Sequence, residues 1–222
     1  DYVQDYEASY EPTYEGLITT PNLLHTLDNP NVGNSGTDYY GNSVDISENY
    51  VIVGAYYTEE DEIDTGSGRA YIYNANTGEL LHTLYNPSAY GTPREDRFGH
   101  SVAISGNYAI VGAWGEDDAG GSESGKAYIF DVTTGNLVHT LDNPNAYGSS
   151  DTDRFGWSVA IDGNYAIVGA YNEDDAGGSD SGKAYIFNVT TGALLHTLDN
   201  PNAYSTSADD YFGRSVAISG NY

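Results

Sequence analysis

Carboxylates in glycine-rich runs are the groups of this chain best suited to chemistry: Glu59, Asp61 and Asp64 in a first run, Glu116, Asp117, Asp118 and Glu123 in a second, Glu173, Asp174, Asp175 and Asp180 in a third. Calcium takes its oxygen ligands from carboxylates and backbone carbonyls, and glycine lets a loop bend tightly enough to wrap the ion. Each run is therefore a candidate calcium site. Three adjacent acids cannot all turn inward, and the spacing is that of no established calcium loop, so a solvated loop kept open by its own charge is the other reading. A second acidic patch precedes each Phe-Gly pair: Glu95 and Asp96, Asp151 and Asp153, Asp209 and Asp210. Arg97 and Arg154 follow two of these patches, and since exposed pairs of that kind contribute little, surface decoration is expected there.

Rings stand beside the acids. Tyr56, Trp114 and Tyr171 come directly before the three runs, while His100 and Trp157 share a slot that Asn42 and Arg214 fill in the other repeats. Variation inside an otherwise repeated frame marks an exposed contact surface. Aromatic faces can stack on sugars while carboxylates accept their hydroxyl hydrogens, which makes glycans one class of partner. Tyrosine also offers a large contact area at low entropic cost, so self-association or docking to other surface proteins is the leading expectation.

His25, His82, His139 and His196 recur 57 residues apart. A catalytic group is needed once, so a histidine copied into every unit is expected to be a partly buried packing residue rather than a metal ligand. No acid, base or nucleophile stands apart from the repetition. The chain is expected not to be an enzyme, and a polysaccharide-active one is the last-ranked alternative.

What must position these residues is a repeat. The stretch 155–198 is written almost word for word at 98–141, more loosely at 40–84, and begins again at 212–222; residues 13–27 follow the second half of the same pattern. Units that recur at a fixed period bury their cores against their neighbours. Within one unit four short strands are predicted, at 158–161, 165–170, 183–189 and 193–198. Gly163-Asn164 suits a type II′ hairpin turn between the first two, and Gly192 supplies a positive φ between the last two. The run Tyr165-Ala166-Ile167-Val168-Gly169-Ala170 lacks polar alternation, which suits a strand covered on both faces. Four strands per unit and a proline-containing connector predict an all-β protein, a β-propeller of about four units with incomplete terminal ones. A parallel β-helix is the runner-up, but its rungs are shorter. Residues 1–12 form a separate acidic tail, in which Tyr2, Tyr6 and Tyr10, continued by Tyr14, would share one face of an extended strand and could act as a donor strand. A frayed terminus is the competing reading.

Phe-Gly at 98–99, 155–156 and 212–213, followed by Ser-Val-Ala-Ile and then Ile-Val-Gly-Ala, resembles the FG-GAP repeat, and the pattern is similar to its short bacterial and phage subtype. The resemblance covers roughly 13–222. It implies a β-propeller of the kind found in integrin α heads and in surface proteins, and with it an extracellular or surface-associated place and an adhesive or structural role. Two departures matter. The Asp-x-Asp-x-Asp-Gly calcium loop of integrin-type repeats is reduced here to Ser105-Gly106-Asn107 and its equivalents, and the family's Gly-Ala-Pro ends instead in Tyr56, Trp114 or Tyr171.

Acidic residues number 33 against 7 basic ones, a formal charge of −26. Such a surface repels phosphate backbones and anionic membranes, which argues against a nucleic-acid partner. No apolar run is long enough to insert in a membrane as a helix. Without cysteine, disulfides and thiolate chemistry are excluded. The lack of any methionine, together with a stop just past a Gly-Asn turn, predicts a processed or partial chain.

Overall fold

Glycine at the first central position shapes the hairpin that opens a repeat. The computed structural model describes residues 22–31, 38–58, 66–87, 95–119, 121–144, 150–175, 178–201 and 208–220. Gly106 and Gly163 there have φ of 55° and 54°, while the asparagines after them stay out of the left-handed region, as a type II′ turn requires. Tyr2, Tyr6, Tyr10, Tyr14, Glu59, Asp61 and Asp64 lie outside the described residues.

The first repeat contributes β1 (Tyr40–Ser47), β2 (Tyr50–Ala55), β3 (Arg69–Asn74) and β4 (Leu80–Tyr85). The second contributes β5 (Ser101–Ser105), β6 (Tyr108–Ala113), β7 (Lys126–Asp131) and β8 (Leu137–Asp142), and the third β9 (Phe155–Asp162), β10 (Tyr165–Ala170), β11 (Lys183–Asn188) and β12 (Leu194–Asp199). Each set forms its own antiparallel meander with its strands in chain order. The described residues hold no helix, so none is long and apolar enough to cross a membrane.

Cores lie between the sheets. On β6, Ala109, Val111 and Ala113 join Ile52, Ile72 and Leu84 of the first repeat, whereas Ile110 points the other way, toward Phe155, Val168 and Tyr185 of the third. Alternate residues of one strand thus feed two cores, which is why that strand has no polar face. The Phe-Gly pair closes each boundary: Phe98 and Phe155 are fully buried, and their N–H groups donate to Ser67 and Ser124 carbonyls of the preceding repeat, both at 3.0 Å. Glycine is required opposite them. A Cβ on Gly112 would sit 2.0 Å from the Gly156 oxygen, and one on Gly125, at φ 81°, 2.0 Å from the Phe155 oxygen.

Among the described residues the three sheets form a series, β1 packing on β5 and β5 on β9. Residues 22–28 lie against the first sheet, where His25 covers Gly78, and residues 208–220 lie against the third, where Gly213 meets Gly169. The expected closure into a propeller is not seen among the described residues. Val44 and Ile46 on β1 are 61% and 64% exposed, whereas Val102 and Ile104, which hold the same places on β5, are 6% and 3% exposed.

Candidate functional site

The residue before each Phe-Gly adopts left-handed backbone: Tyr39 (φ 51°), Arg97 (60°), Arg154 (58°) and Tyr211 (55°). Such conformations are costly for side-chain-bearing residues and recur where the surrounding structure fixes them. Here the turn accompanies a division of labour, with the following ring turned inward, fully buried at Phe98 and Phe155 and half-buried at Tyr40 and Phe212, and the preceding side chain among a row of rings that crosses all three repeats. Tyr39 stacks on Tyr56 (4.7 Å between centroids), Tyr56 meets His100 (5.3 Å), His100 meets Trp114 (5.9 Å) and Trp157 (4.6 Å), and Trp157 meets Tyr171 (4.7 Å), which meets Tyr211 (5.8 Å). Five of the nine contact residues expected from sequence, Tyr56, His100, Trp114, Trp157 and Tyr171, are brought together in one belt, but not as the exposed surface expected: packing of ring on ring leaves four half-buried and Tyr171 buried.

Three of the chain's five arginines join it. Arg97 lies over Tyr57 at 4.6 Å, Arg154 over Trp114 at 5.1 Å and Arg214 over Tyr171 at 5.9 Å, close enough for the ring quadrupoles to hold the cations. Arg154 also donates from Nε and Nη2 to Glu123 Oε2 (3.2 and 3.1 Å) and from Nη1 to the Tyr171 hydroxyl (2.5 Å). His100 Nδ1 is 3.3 Å from the Trp157 carbonyl; burial pulls its pKa down, the hydrogen bond opposes this, and the Arg97 charge adds to it. Sequence reading missed Tyr39, Arg97, Arg154 and Tyr211. Their signal was their common slot before Phe-Gly or its Tyr-Gly equivalent.

The second and third repeats also bury acids. Glu116 and Glu173 are fully buried. The Tyr128 hydroxyl donates to Glu116 Oε2, and the Tyr185 hydroxyl to Glu173 Oε2 at 2.5 Å. Lys183 Nζ donates to Glu173 Oε1 at 2.8 Å, whereas Lys126 Nζ donates to Asp142 at 2.7 Å and leaves Glu116 Oε1 without a partner among the described residues. Burial pushes Glu116 up to about 7, against the Tyr128 hydroxyl and the Lys126 charge, and it raises Glu173 as well. In the first repeat Thr58 and Arg69 stand where these Glu and Lys residues stand.

Of the acids before Phe-Gly, Glu95, Asp151, Asp209 and Asp210 are exposed, as expected of surface decoration, but Asp96 and Asp153 are not. Asp96 and Asp153 are 3% and 2% exposed. The reason is a connector asparagine: Asn86 Nδ2 donates to Asp96 at 2.6 Å and Asn143 Nδ2 to Asp153 at 2.8 Å. Burial, with the neighbouring Glu173 charge, pushes Asp153 up to about 8. Asn29, Asn86, Asn143 and Asn200 are themselves 57 residues apart, each just before a proline, so the pairing was open to a reading of the repeat.

The exposed Asp117 and Asp174 and the half-buried Asp118 and Asp175 of the glycine-rich runs accept hydrogen bonds from nearby loops. Asp117 Oδ1 accepts from the Glu123 N–H and Asp174 Oδ1 from the Asp180 N–H; Asp118 Oδ1 accepts from the Gly121 N–H and the Ser150 hydroxyl, and Asp175 Oδ1 from the Gly178 N–H. Among the described residues no three His, Asp or Glu side chains are placed to hold a metal ion. The repeated histidines reach across boundaries: His25 Nε2 is 2.8 Å from the Asn76 carbonyl and His139 Nε2 is 3.0 Å from the Thr190 carbonyl, each ring lying over a turn glycine of the next repeat.

The sequence model of the FG-GAP repeat matches residues 32–73, 89–130 and 146–187, more than half of the 222-residue chain and at the same 57-residue spacing. No curated protein matches the chain.

Proposed function

The chain belongs to the FG-GAP repeat family, whose repeats commonly occur in extracellular or surface proteins, and from that premise we propose that it is a non-enzymatic structural module that packs into a larger surface assembly. One observation carries this reading. The face through which each later sheet buries itself on its predecessor is left open on the first sheet, with Val44 and Ile46 at 61% and 64% exposure against 6% and 3% for Val102 and Ile104. Apolar strand residues left at an edge are a template for further pairing. The non-enzymatic part is supported by where the reactive groups go: the histidines lock neighbouring turns, and the buried acids meet Lys, Tyr and Asn of the frame.

Light scattering coupled to gel filtration, in calcium and then in chelator, with each peak viewed by electron microscopy, tests the proposal. Assemblies that grow with concentration and survive chelation are expected. A monomer under all conditions would sink it. The ring and arginine belt favours a second reading, an adhesive surface for glycans that uses calcium in the acidic runs. It predicts calcium-dependent retention on immobilised polysaccharides, and absence of retention removes it.

A further inference from the structure

The contact that joins successive inner strands is made twice between sheets and offered once more, unused, on β1. Where β5 runs beside β1, side chains of β1 take up backbone N–H groups along its edge: Ser43 Oγ accepts from Val102 (3.0 Å), Asp45 Oδ2 from Ile104 (2.8 Å) and Ser47 Oγ from Gly106 (3.2 Å). Ser105 Oγ does the same for Gly163 (3.1 Å), and Asp162 Oδ2 for Gly220 (2.5 Å). In return Ser101 and Ser158 hydroxyls donate to the Gly156 and Gly213 carbonyls, both at 2.8 Å. A row of Ser and Asp side chains thus closes a strand edge that a backbone ladder would otherwise close.

β1 carries the same receiving positions. Val44, Ile46 and Glu48 stand where Val102, Ile104 and Gly106 stand, and Glu48 even holds the left-handed turn, at φ 49° against 55° for Gly106. No such row faces them among the described residues. The Ile46 N–H bonds instead to Asp45 Oδ1, on its own strand, at 2.8 Å. The matching row exists elsewhere in the molecule: Ser215, Ala217 and Ser219 occupy the places of Ser43, Asp45 and Ser47, and all three are exposed. They belong to the segment that lies against the third sheet, whereas the open edge is on the first sheet, with the second sheet packed between those two.

Resting on the assembly reading above, we infer that a second copy of the chain docks head to tail, laying its row Ser215, Ala217 and Ser219 along the open edge of β1 and covering Val44 and Ile46. Ser219 Oγ then accepts from the Glu48 N–H, and the Ser215 hydroxyl donates to the Gly41 carbonyl, as Ser47 and Ser101 do at the internal boundaries. The occupant follows from continuity with those boundaries, which have the same residue types at the same register. Because the two surfaces differ, the contact is heterologous and builds rings or open filaments rather than a closed pair.

The chain has no cysteine, so single thiols can be placed without interference. A Glu48→Cys chain mixed with a Ser219→Cys chain is expected to form a mixed disulfide on mild oxidation, since neighbouring strand positions bring Cα atoms within bonding range. Wild-type mass rises with concentration, and Ile46→Asp raises the concentration for half-assembly about tenfold or more, the loss of one buried aliphatic side chain. If the wild-type chain is monomeric throughout, both this inference and the assembly reading fail. If it assembles, but no mixed disulfide forms and Ile46→Asp changes nothing, the seat is wrong while the assembly reading stands. If the Glu48→Cys, Ser219→Cys double variant closes within one chain, the occupant is the chain's own segment, and the inference is overturned.

Discussion

The second and third repeats are near copies, yet their buried lysines turn in opposite directions. Lys183 turns in to the fully buried Glu173 at 2.8 Å; Lys126 turns out to Asp142, which is 68% exposed, at 2.7 Å. The first repeat builds the same four strands with Thr58 and Arg69 at these positions, Thr58 Oγ1 donating to the Ala55 carbonyl at 2.7 Å and Arg69 lying over the Tyr85 ring at 5.2 Å. The fold therefore does not depend on a buried ion pair. Once a glutamate is enclosed at the boundary, however, its charge must be met either by an ammonium or by a proton. The third repeat uses the lysine. In the second, the unpaired Glu116 oxygen and its raised pKa point to the proton.

The largest effect expected breaks this contrast at its tighter side. Lys183→Met leaves Glu173 buried without its cation and should cost about 3–5 kcal/mol, the range for stranding one member of a buried pair. Lys126→Met removes a contact to a surface carboxylate and should cost about 1 kcal/mol or less. Chemical denaturation of both variants measures the difference, and equal losses would mean that the two lysines are not differently placed.

Next in size is the pH dependence. Burial holds Glu116 near 7 and Asp153 near 8 in the folded protein, well above the ordinary carboxyl range that applies when unfolded. Between those limits the folded state binds more protons, so the stability these groups contribute is full in acid and falls as pH rises. Each loses about 1.4 kcal/mol per pH unit within its window. The groups facing them are Lys126, Tyr128, Asp142 and Asp117 for Glu116, and Glu173, Asn143, Asp174 and Lys183 for Asp153. Denaturation curves at pH 5, 6, 7 and 8 should become steadily less stable. Glu116→Gln should flatten the slope below pH 7, and a wild-type curve that gains stability with pH would contradict the assignment.

A smaller contrast runs along the outer strands. His139 bonds the Thr190 carbonyl of the following repeat, whereas His196 is exposed, with no following turn among the described residues. His139→Ala should cost about 1 kcal/mol, a typical net hydrogen bond, and His196→Ala close to nothing. Thermal melts of the two variants check this directly.

How much of this was legible in the sequence differs by scale. The four strands, their turns and the doubly covered β6 and β10 followed from local pattern, because glycine at positive φ and unbroken apolar runs are local signals. The belt was half legible: its rings were singled out by their variation within the repeat, while Arg97 and Arg154 were set aside as surface ion pairs. Their cation–π contacts depend on rings contributed by strand ends more than 15 residues away or by another repeat. The burial of Asp96, Asp153, Glu116 and Glu173 was not legible from charge, since an acid written beside other acids reads as solvated. Only the partner makes it a core residue, and those partners, Asn143, Lys183 and Tyr185, come from elsewhere in the chain.

The smallest expected change is the one that makes the third repeat resemble the first. Replacing both members together, Glu173→Thr with Lys183→Arg, removes the buried carboxylate and its cation at once, and exchange of a whole buried pair is commonly neutral or stabilising. The new arginine has a partner ready, because Asp199 holds the place of Tyr85 and is exposed, 3.9 Å from Lys183 Nζ. Threonine can donate to the Ala170 carbonyl as Thr58 does to that of Ala55. Stability at pH 7 should stay within about 1 kcal/mol of wild type. The pH slope should also shrink, since burial and the Glu173 charge are the two largest influences raising Asp153 and one of them is gone. A double variant as damaged as Lys183→Met would mean that the boundary requires the ions themselves, and that the first repeat folds by a different balance.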